Sequence, residues 1–235
     1  MGRGPDVEYS SRAGLRFRCP QAAIEGSFHL IEHDPDQVAE FDEFLTELGQ
    51  HKNPFMLDIG CHFGIFTFGM LCRCGPGSRA VAVDPSPVAC RMVEHIAKGN
   101  DGATPGELEM IDAGIASSGY FVLPGDQPQK DRIRVPIRTI DDLVAEFGTP
   151  DLIKIDVESF EGDVLKGGSK TLGEHRCILF LELHNKMARD RGADPEMALK
   201  TLRAFGYNRI SLGGRDLTDK ELLEVDLVRV VARKA

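Results

Sequence analysis

From Phe55 onward, short apolar runs alternate with helix-patterned segments across glycine turns, and this rhythm constrains the fold more than any other feature. Phe55 to Ile59 reads as a strand, Gly60 to Gly64 as a turn, and the apolar stretch to about Cys72 as a helix. Gly75-Pro76-Gly77 leads into a second strand, Arg79 to Val83, which ends at Asp84-Pro85. Val88 to Lys98 reads as a helix, Gly99 to Gly106 as a loop, and Leu108 to Ala116 as a third strand. Tyr120 to Leu123 and Ile133 to Ile137 flank a polar tip, Pro124 to Lys130, in the manner of a hairpin. Thr139 to Phe147 carries Asp141 and Asp142 where a helix start favours acids.

Leu152 to Val157 is then a strand, and Phe160 to Leu165 is a helix closed by Gly167-Gly168. Cys177 to Leu183 is a strand, and Pro195 to Phe205 an amphipathic helix. Arg209 to Leu212 and Leu227 to Val231 are the last two strands. Such alternation predicts an α/β fold, a doubly wound, mostly parallel seven-stranded sheet with helices on both faces. The final pair can form an antiparallel edge.

Residues 1–50 lack this rhythm and read as an N-terminal extension, a possible cap over the substrate, ahead of a main domain at 51–235. In the extension, Leu15 to Cys19 and Ser27 to Ile31 read as short strands. Asp36 to Leu48 has helical spacing, with Asp34 before Pro35 as its start. No apolar run approaches the roughly 18 residues of a membrane span, and Met1 to Pro20 has no signal-peptide core. A cytoplasmic protein without a membrane partner is expected.

The 37 acidic and 28 basic side chains leave a formal charge of −9, which opposes binding to a phosphate backbone, so no nucleic-acid partner is expected. The six cysteines form no C-x-x-C pair and read as free thiols, with Cys72 and Cys74 close enough to note as a metal or redox pair.

The turn after the first main-domain strand points to a cofactor. Leu57-Asp58-Ile59-Gly60-Cys61-His62-Phe63-Gly64 is a buried strand ending near an acid, then two glycines, then a helix N-terminus with its positive dipole end. A dinucleotide site wants G-x-G-x-x-G, which is absent, and Asp58 would repel a pyrophosphate. The zwitterionic end of S-adenosylmethionine suits the site better. Asp58 can face its ammonium and the Gly60–Gly64 turn its carboxylate, while Asp84 accepts hydrogen bonds from the ribose hydroxyls. Asp112, ending the third strand, is a candidate reader of the adenine amino group or a loop cap.

Three blocks carry a resemblance. LDIGCHFGIFT (Leu57 to Thr67), RVPIRTIDDL (Arg134 to Leu143) and LIKIDVESFEGDVLKG (Leu152 to Gly167) resemble motifs of the FkbM-type family of S-adenosylmethionine-dependent methyltransferases. The likeness implies a Rossmann-like class I methyltransferase fold and O-methylation of a hydroxyl on a sugar or natural-product small molecule. Two departures from the family pattern matter: Cys61-His62 stands for the usual Ala-Asn, and Ser159 for a glycine after Glu158.

The strand Leu152 to Glu158 places Lys154, Asp156 and Glu158 on one parity, and the strand Ile178 to His184 does the same for Glu182 and His184. Ligands of such sheets sit at the C-terminal strand ends, so these side chains are expected near the transferred methyl group. An alcohol stays protonated at neutral pH, so a base or a metal helps. His184 or Glu158 can be that base, with Lys154 and Asp156 supporting. A divalent cation held by the acids and His184 is the less favoured route, and a structural role for the cluster remains open. The competing function is a catalytically silent S-adenosylmethionine-binding regulatory module. The sequence leaves the acceptor and the oligomeric state unnamed.

Overall fold

The computed structural model describes residues 4–100, 106–116, 120–122 and 134–235. Contacts divide the chain into two compact units, Met1–Ile111 and Asp112–Ala235.

The first unit opens with a hairpin of β1 (Asp6–Ser10) and β2 (Arg16–Pro20), antiparallel with Tyr9 opposite Phe17. The expected strand at Ser27 to Ile31 is helical. α1 (Gln21–Ala23) runs into a π-helical turn, Ile24–Phe28, and then α2 (Leu30–His33). The Ser-Phe-His-Leu-Ile alternation imitates a strand, but Phe28 and Ile31 are three apart and are both buried on one helical face. α3 (Pro35–Leu48) starts as expected, with Asp34 Oδ1 accepting the Gln37 N–H at 2.9 Å and Pro35 in the first turn.

β3 (Phe55–Ile59), α4 (Ile65–Cys74), β4 (Arg79–Asp84) and α5 (Pro87–Lys98) follow, and β5 (Glu107–Asp112) lies next to β4. β3 and β4 are parallel, with Asp58 opposite Ala82. The extension packs directly on this framework. Phe66 of α4 meets Phe41 and Phe44 of α3 edge-on at 5.2 and 5.1 Å, and Phe68 meets Phe17 of β2 at 5.4 Å. Asn100, just beyond α5, accepts the Arg18 N–H at 2.7 Å and donates to the Arg18 carbonyl at 2.6 Å, which ties β2 to the end of α5.

In the second unit, β6 (Gly114–Ile115), β7 (Tyr120–Val122) and β8 (Arg134–Arg138) form a three-stranded sheet in the order β6-β8-β7. β7 and β8 are the antiparallel arms of the expected hairpin, and its tip lies outside the described residues. The expected third strand breaks at Ala113 into β5 and β6. α6 (Ile140–Phe147) is closed at its start by a Thr139–Asp142 capping box.

Then come β9 (Leu152–Ile155), α7 (Glu161–Lys166), α8 (Ser169–Glu174), β10 (Ile178–Leu183), α9 (Asn185–Asp190) and α10 (Glu196–Ala204). β11 (Arg209–Leu212), β12 (Arg215–Asp216), α11 (Asp219–Glu224) and β13 (Val228–Arg233) complete the unit. Its strands run in the order β12-β11-β13-β10-β9. β9 and β10 are parallel, and β13 inserts antiparallel between β10 and β11. Among the described residues, β3 to β5 and β9 to β13 make eight strands, against seven expected, because the Gly213-Gly214 turn adds the two-residue β12.

β9 and β10 are buried along nearly their whole length, as strands covered on both faces must be. Among the described residues, no helix is long and apolar enough to cross a membrane.

Candidate active site

The glycine turn of the first unit is built as a cradle. Gly60 and Gly64 have φ of 77° and 83°, a region costly for any residue with a Cβ. At Gly64 the space is closed as well, since a Cβ would stand 3.1 Å from the Phe68 ring and 3.2 Å from Val93. The N–H groups of Gly60 and Cys61 both donate to the Val83 carbonyl, at 2.8 and 3.1 Å, so the turn is fastened to the end of β4.

Asp84 ends β4 and is 8% exposed. Its Oδ2 accepts the His62 N–H at 2.9 Å and its Oδ1 the Ser86 N–H at 2.8 Å. Each oxygen of an ionised carboxylate has capacity for a second donor, so this geometry suits paired hydroxyls such as those of a ribose. Asp58 is 2% exposed, and its Oδ2 accepts both the Thr67 N–H at 3.1 Å and the Thr67 hydroxyl at 2.6 Å. Thr67 was not singled out in the sequence, although it closes the LDIGCHFGIFT block. The acid at the end of β3 thus anchors the first turn of α4.

Cys61 and His62, which depart from the family pattern, also have an account here. Burial, then the charges of Asp58 and Asp84, raise the Cys61 thiol well above its ordinary pKa, so it stays an inert thiol. His62 adopts φ 48°, and its ring stacks on Phe63 at 3.8 Å. Cys72 and Cys74 are half-buried free thiols, and burial pushes Cys72 up to about 11, against the thiolate that metal binding needs. Asp112 ends β5 and is exposed.

The second cluster lies in the second unit, at the C-terminal ends of β9 and β10. Phe180 is the register partner of Lys154, and Glu182 stands two residues further along β10 on the same face. Lys154 Nζ reaches Glu182 Oε1 at 2.8 Å, and Arg229, the cross-strand partner of Glu182 on β13, reaches Oε2 at 3.1 Å. Burial alone would raise the Glu182 carboxyl, but the Lys154 and Arg229 charges outweigh it and hold it at about 2.

Two expectations about strand parity change. β10 ends at Leu183, so His184 is the N-cap position of α9 rather than a strand residue. β9 ends at Ile155, and Glu158 is exposed in a turn at φ 45°, so parity with Lys154 does not orient it. A turn with positive φ at 158 and 159 abandons the two-residue period on which that reading depended.

His184 instead finds a partner that the sequence reading passed over. Its Nδ1 lies 2.8 Å from Oε1 of Glu161, which is 4% exposed at the start of α7. The signal was present, because Glu161 is the second glutamate of the LIKIDVESFEGDVLKG block. Its Oε1 also accepts the Ser159 N–H at 3.0 Å. His184 Nε2 faces Asp156 Oδ1 at 3.7 Å, beyond hydrogen-bond length.

Burial disfavours the imidazolium, but the Glu161 hydrogen bond and the charges of Glu161, Asp156 and Glu182 outweigh it and raise the His184 pKa. A cavity of about 80 Å³ opens beside this pair, lined among others by Glu161, Gly162, His184, Asn185, Arg191 and Met197. Ligand atoms of Asp156, Glu182 and His184 lie within 4.8 Å of one another, a spacing that could hold a metal ion.

Comparison with known proteins follows the same lines. The methyltransferase FkbM domain family model matches residues 14–209. An FkbM methyltransferase from Methylobacillus flagellatus superposes with a TM-score of 0.53 at 18% identity, over 77% of this chain and 44% of that one. This chain therefore spans less than half the length of that protein. An S-adenosylmethionine-dependent O-methyltransferase from Thermotoga maritima superposes with a TM-score of 0.53 at 11% identity, over 99% of this chain and 79% of that one. A precorrin-6y C5,15-methyltransferase from Geobacter metallireducens gives 0.51 at 12% identity, over 83% and 87%.

These structures share the α/β fold with a central, mostly parallel sheet. Comparison with curated proteins gives no match. The family match extends over most of the chain, and on it this chain belongs to the FkbM family of S-adenosylmethionine-dependent methyltransferases.

Proposed function

We propose that this methyltransferase acts on a hydroxyl oxygen of a small molecule, a sugar or another natural-product acceptor, with His184 as general base. The observation that carries the reading is the part-buried Glu161–His184 pair. Glu161 occupies Nδ1 at 2.8 Å, which fixes the ring and directs Nε2 away from the carboxylate. An oxygen nucleophile needs a base in that arrangement, because its proton must leave as the new bond forms.

S-adenosylmethionine, when bound, supplies the electrophilic methyl group. In this reading Asp84 takes the ribose hydroxyls. The Gly60–Gly64 turn faces the amino-acid carboxylate, and the Asp58 charge behind it favours the ammonium. Asp112 is assigned to the adenine amino group. His184 Nε2 accepts the acceptor's proton, and Glu161 stabilises the resulting imidazolium. Asp156, 36% exposed at its side chain, and Glu158, at the edge of the turn, steer the acceptor's hydroxyls. Lys154 acts through Glu182, keeping it ionised and in place.

A second reading puts a divalent cation on Asp156, Glu182 and His184. The donor set argues against it, because Glu182 already carries Lys154 on one oxygen and Arg229 on the other.

The test is methyl release with a panel of hydroxylated acceptors. His184→Ala should lower the single-turnover rate by roughly 10²–10⁴-fold while cofactor affinity holds, and wild-type activity should survive exhaustive chelation. A folded His184→Ala enzyme that transfers at the wild-type rate would remove His184 from the mechanism. Cofactor binding without release on any acceptor would instead mark a regulatory module.

A further inference from the structure

The turn between β9 and α7 holds two consecutive residues in the left-handed region, Glu158 at φ 45° and Ser159 at φ 85°. A Cβ is disfavoured there, so such a turn persists only when its surroundings impose it. Arg191, at the end of α9, supplies that constraint. Its Nε and Nη2 donate to the Ser159 carbonyl at 3.2 and 2.5 Å. Its guanidinium lies 4.1 Å over the Phe160 ring, and Nη2 is 3.7 Å from Asp163 Oδ2. Arg191 therefore grips the chain on both sides of Glu161. Inside that grip, Glu161 Oε1 takes the Ser159 N–H and His184 Nδ1 together.

We propose that Arg191 is a positioning residue for methyl transfer: by holding the strained Glu158–Ser159 turn closed, it keeps the Glu161 carboxylate on His184. A solvent ion pair with Asp163 does not explain its placement, since that contact is long and partly exposed, and the short bonds go to a backbone carbonyl. The proposal rests on the reading of His184 as the base, but its test uses the resting protein and separates the two.

The first measurement is the titration of the His184 ring by NMR, without acceptor. In Arg191→Ala, a released Glu161 lets the His184 pKa fall towards its ordinary value. Loss of a nearby positive charge alone would move it the other way. Ser159→Gly should relax the turn, because glycine takes this φ without a clamp. In Ser159→Gly/Arg191→Ala, the His184 titration should therefore return to the wild-type position. Transfer by Arg191→Ala should be about 10²-fold slower, the scale of a misplaced catalytic group, and should recover in the double variant.

A titration in Arg191→Ala that stays in place or rises would overturn the proposal. A loss of equal size in both serine and glycine backgrounds would do the same. Should Arg191→Ala fail to fold, the double variant must fold with His184 still raised, and failure of both also overturns it. If His184 is not the base, these titration shifts survive while the rate effects vanish.

Discussion

Replacing Glu161 with Gln keeps the size of the side chain and an acceptor oxygen but removes the charge facing His184. The pair is 2.8 Å apart, and its side chains are 12% and 5% exposed, so solvent screens it weakly. Unit charges about 4 Å apart attract by about 4 kcal/mol at an effective dielectric of about 20. Burial of the imidazolium offsets part of that. The surviving worth of a hydrogen bond to a charged group is about 1.5–3 kcal/mol. If His184 carries the proton in the transition state, Glu161→Gln should slow transfer by about 10- to 150-fold.

The pH dependence has a definite sign. A protonated His184 cannot accept a proton, so the wild-type rate should rise with pH through the raised His184 pKa. In Glu161→Gln that pKa falls towards about 6.5, so the rise should come at lower pH and reach a lower plateau. Stability follows the same proton. The contribution of His184 is fully present below its ordinary pKa and is lost as pH rises through the raised value, and the variant should lack most of this slope. Single-turnover transfer measured across pH, with thermal unfolding on the same samples, reads both. A variant profile superposing on the wild type in position and plateau would refute the assignment.

Asp84→Ala should weaken S-adenosylmethionine binding by about 1.5–3 kcal/mol in calorimetry, and unchanged affinity would remove Asp84 from the ribose site. Lys154→Met should destabilise the fold by about 3–5 kcal/mol, towards the lower end because Arg229 remains at 3.1 Å from Glu182. Glu182 is held at about 2, so its stabilisation is present above its ordinary 4.5 and is lost as pH falls towards 2. Acid unfolding of Lys154→Met should accordingly lose the Lys154 share of that dependence, and matching acid profiles would count against the ion pair.

How much of this was legible in the sequence depended on whether the information was local. The cradle was readable because strand, acid, glycines and helix lie within ten residues, each with a backbone reason to be there. Asp34-Pro35 and the first-turn acids Asp141 and Asp142 announced their helices by side-chain chemistry alone. The extension misled where Ser27 to Ile31 alternates like a strand, because which face is buried depends on packing partners. Phe28 is buried against Tyr9 and Phe17 of the hairpin, a contact that no local pattern encodes. The strand ends misled for a related reason. Parity holds only as long as the strand does, and β9 and β10 stop before Glu158 and His184.

Strand parity groups Asp156, Glu158 and Glu182 and passes over Glu161, whereas the environments of Glu182 and Glu161 set those two acids apart. Glu182 has a cation on each oxygen, Lys154 on one and Arg229 on the other, so its charge is spent inside the sheet. Glu161 is buried to a similar extent, but its described bonds go to a backbone N–H and to His184. A carboxylate whose partner is a titratable imidazole transmits its charge to that ring, while one between two fixed cations transmits little. Two glutamates of equal burial are thereby divided into a structural acid and an acid that tunes an imidazole. That division follows from which cation sits at each oxygen, a through-space fact that residue spacing along the chain does not carry.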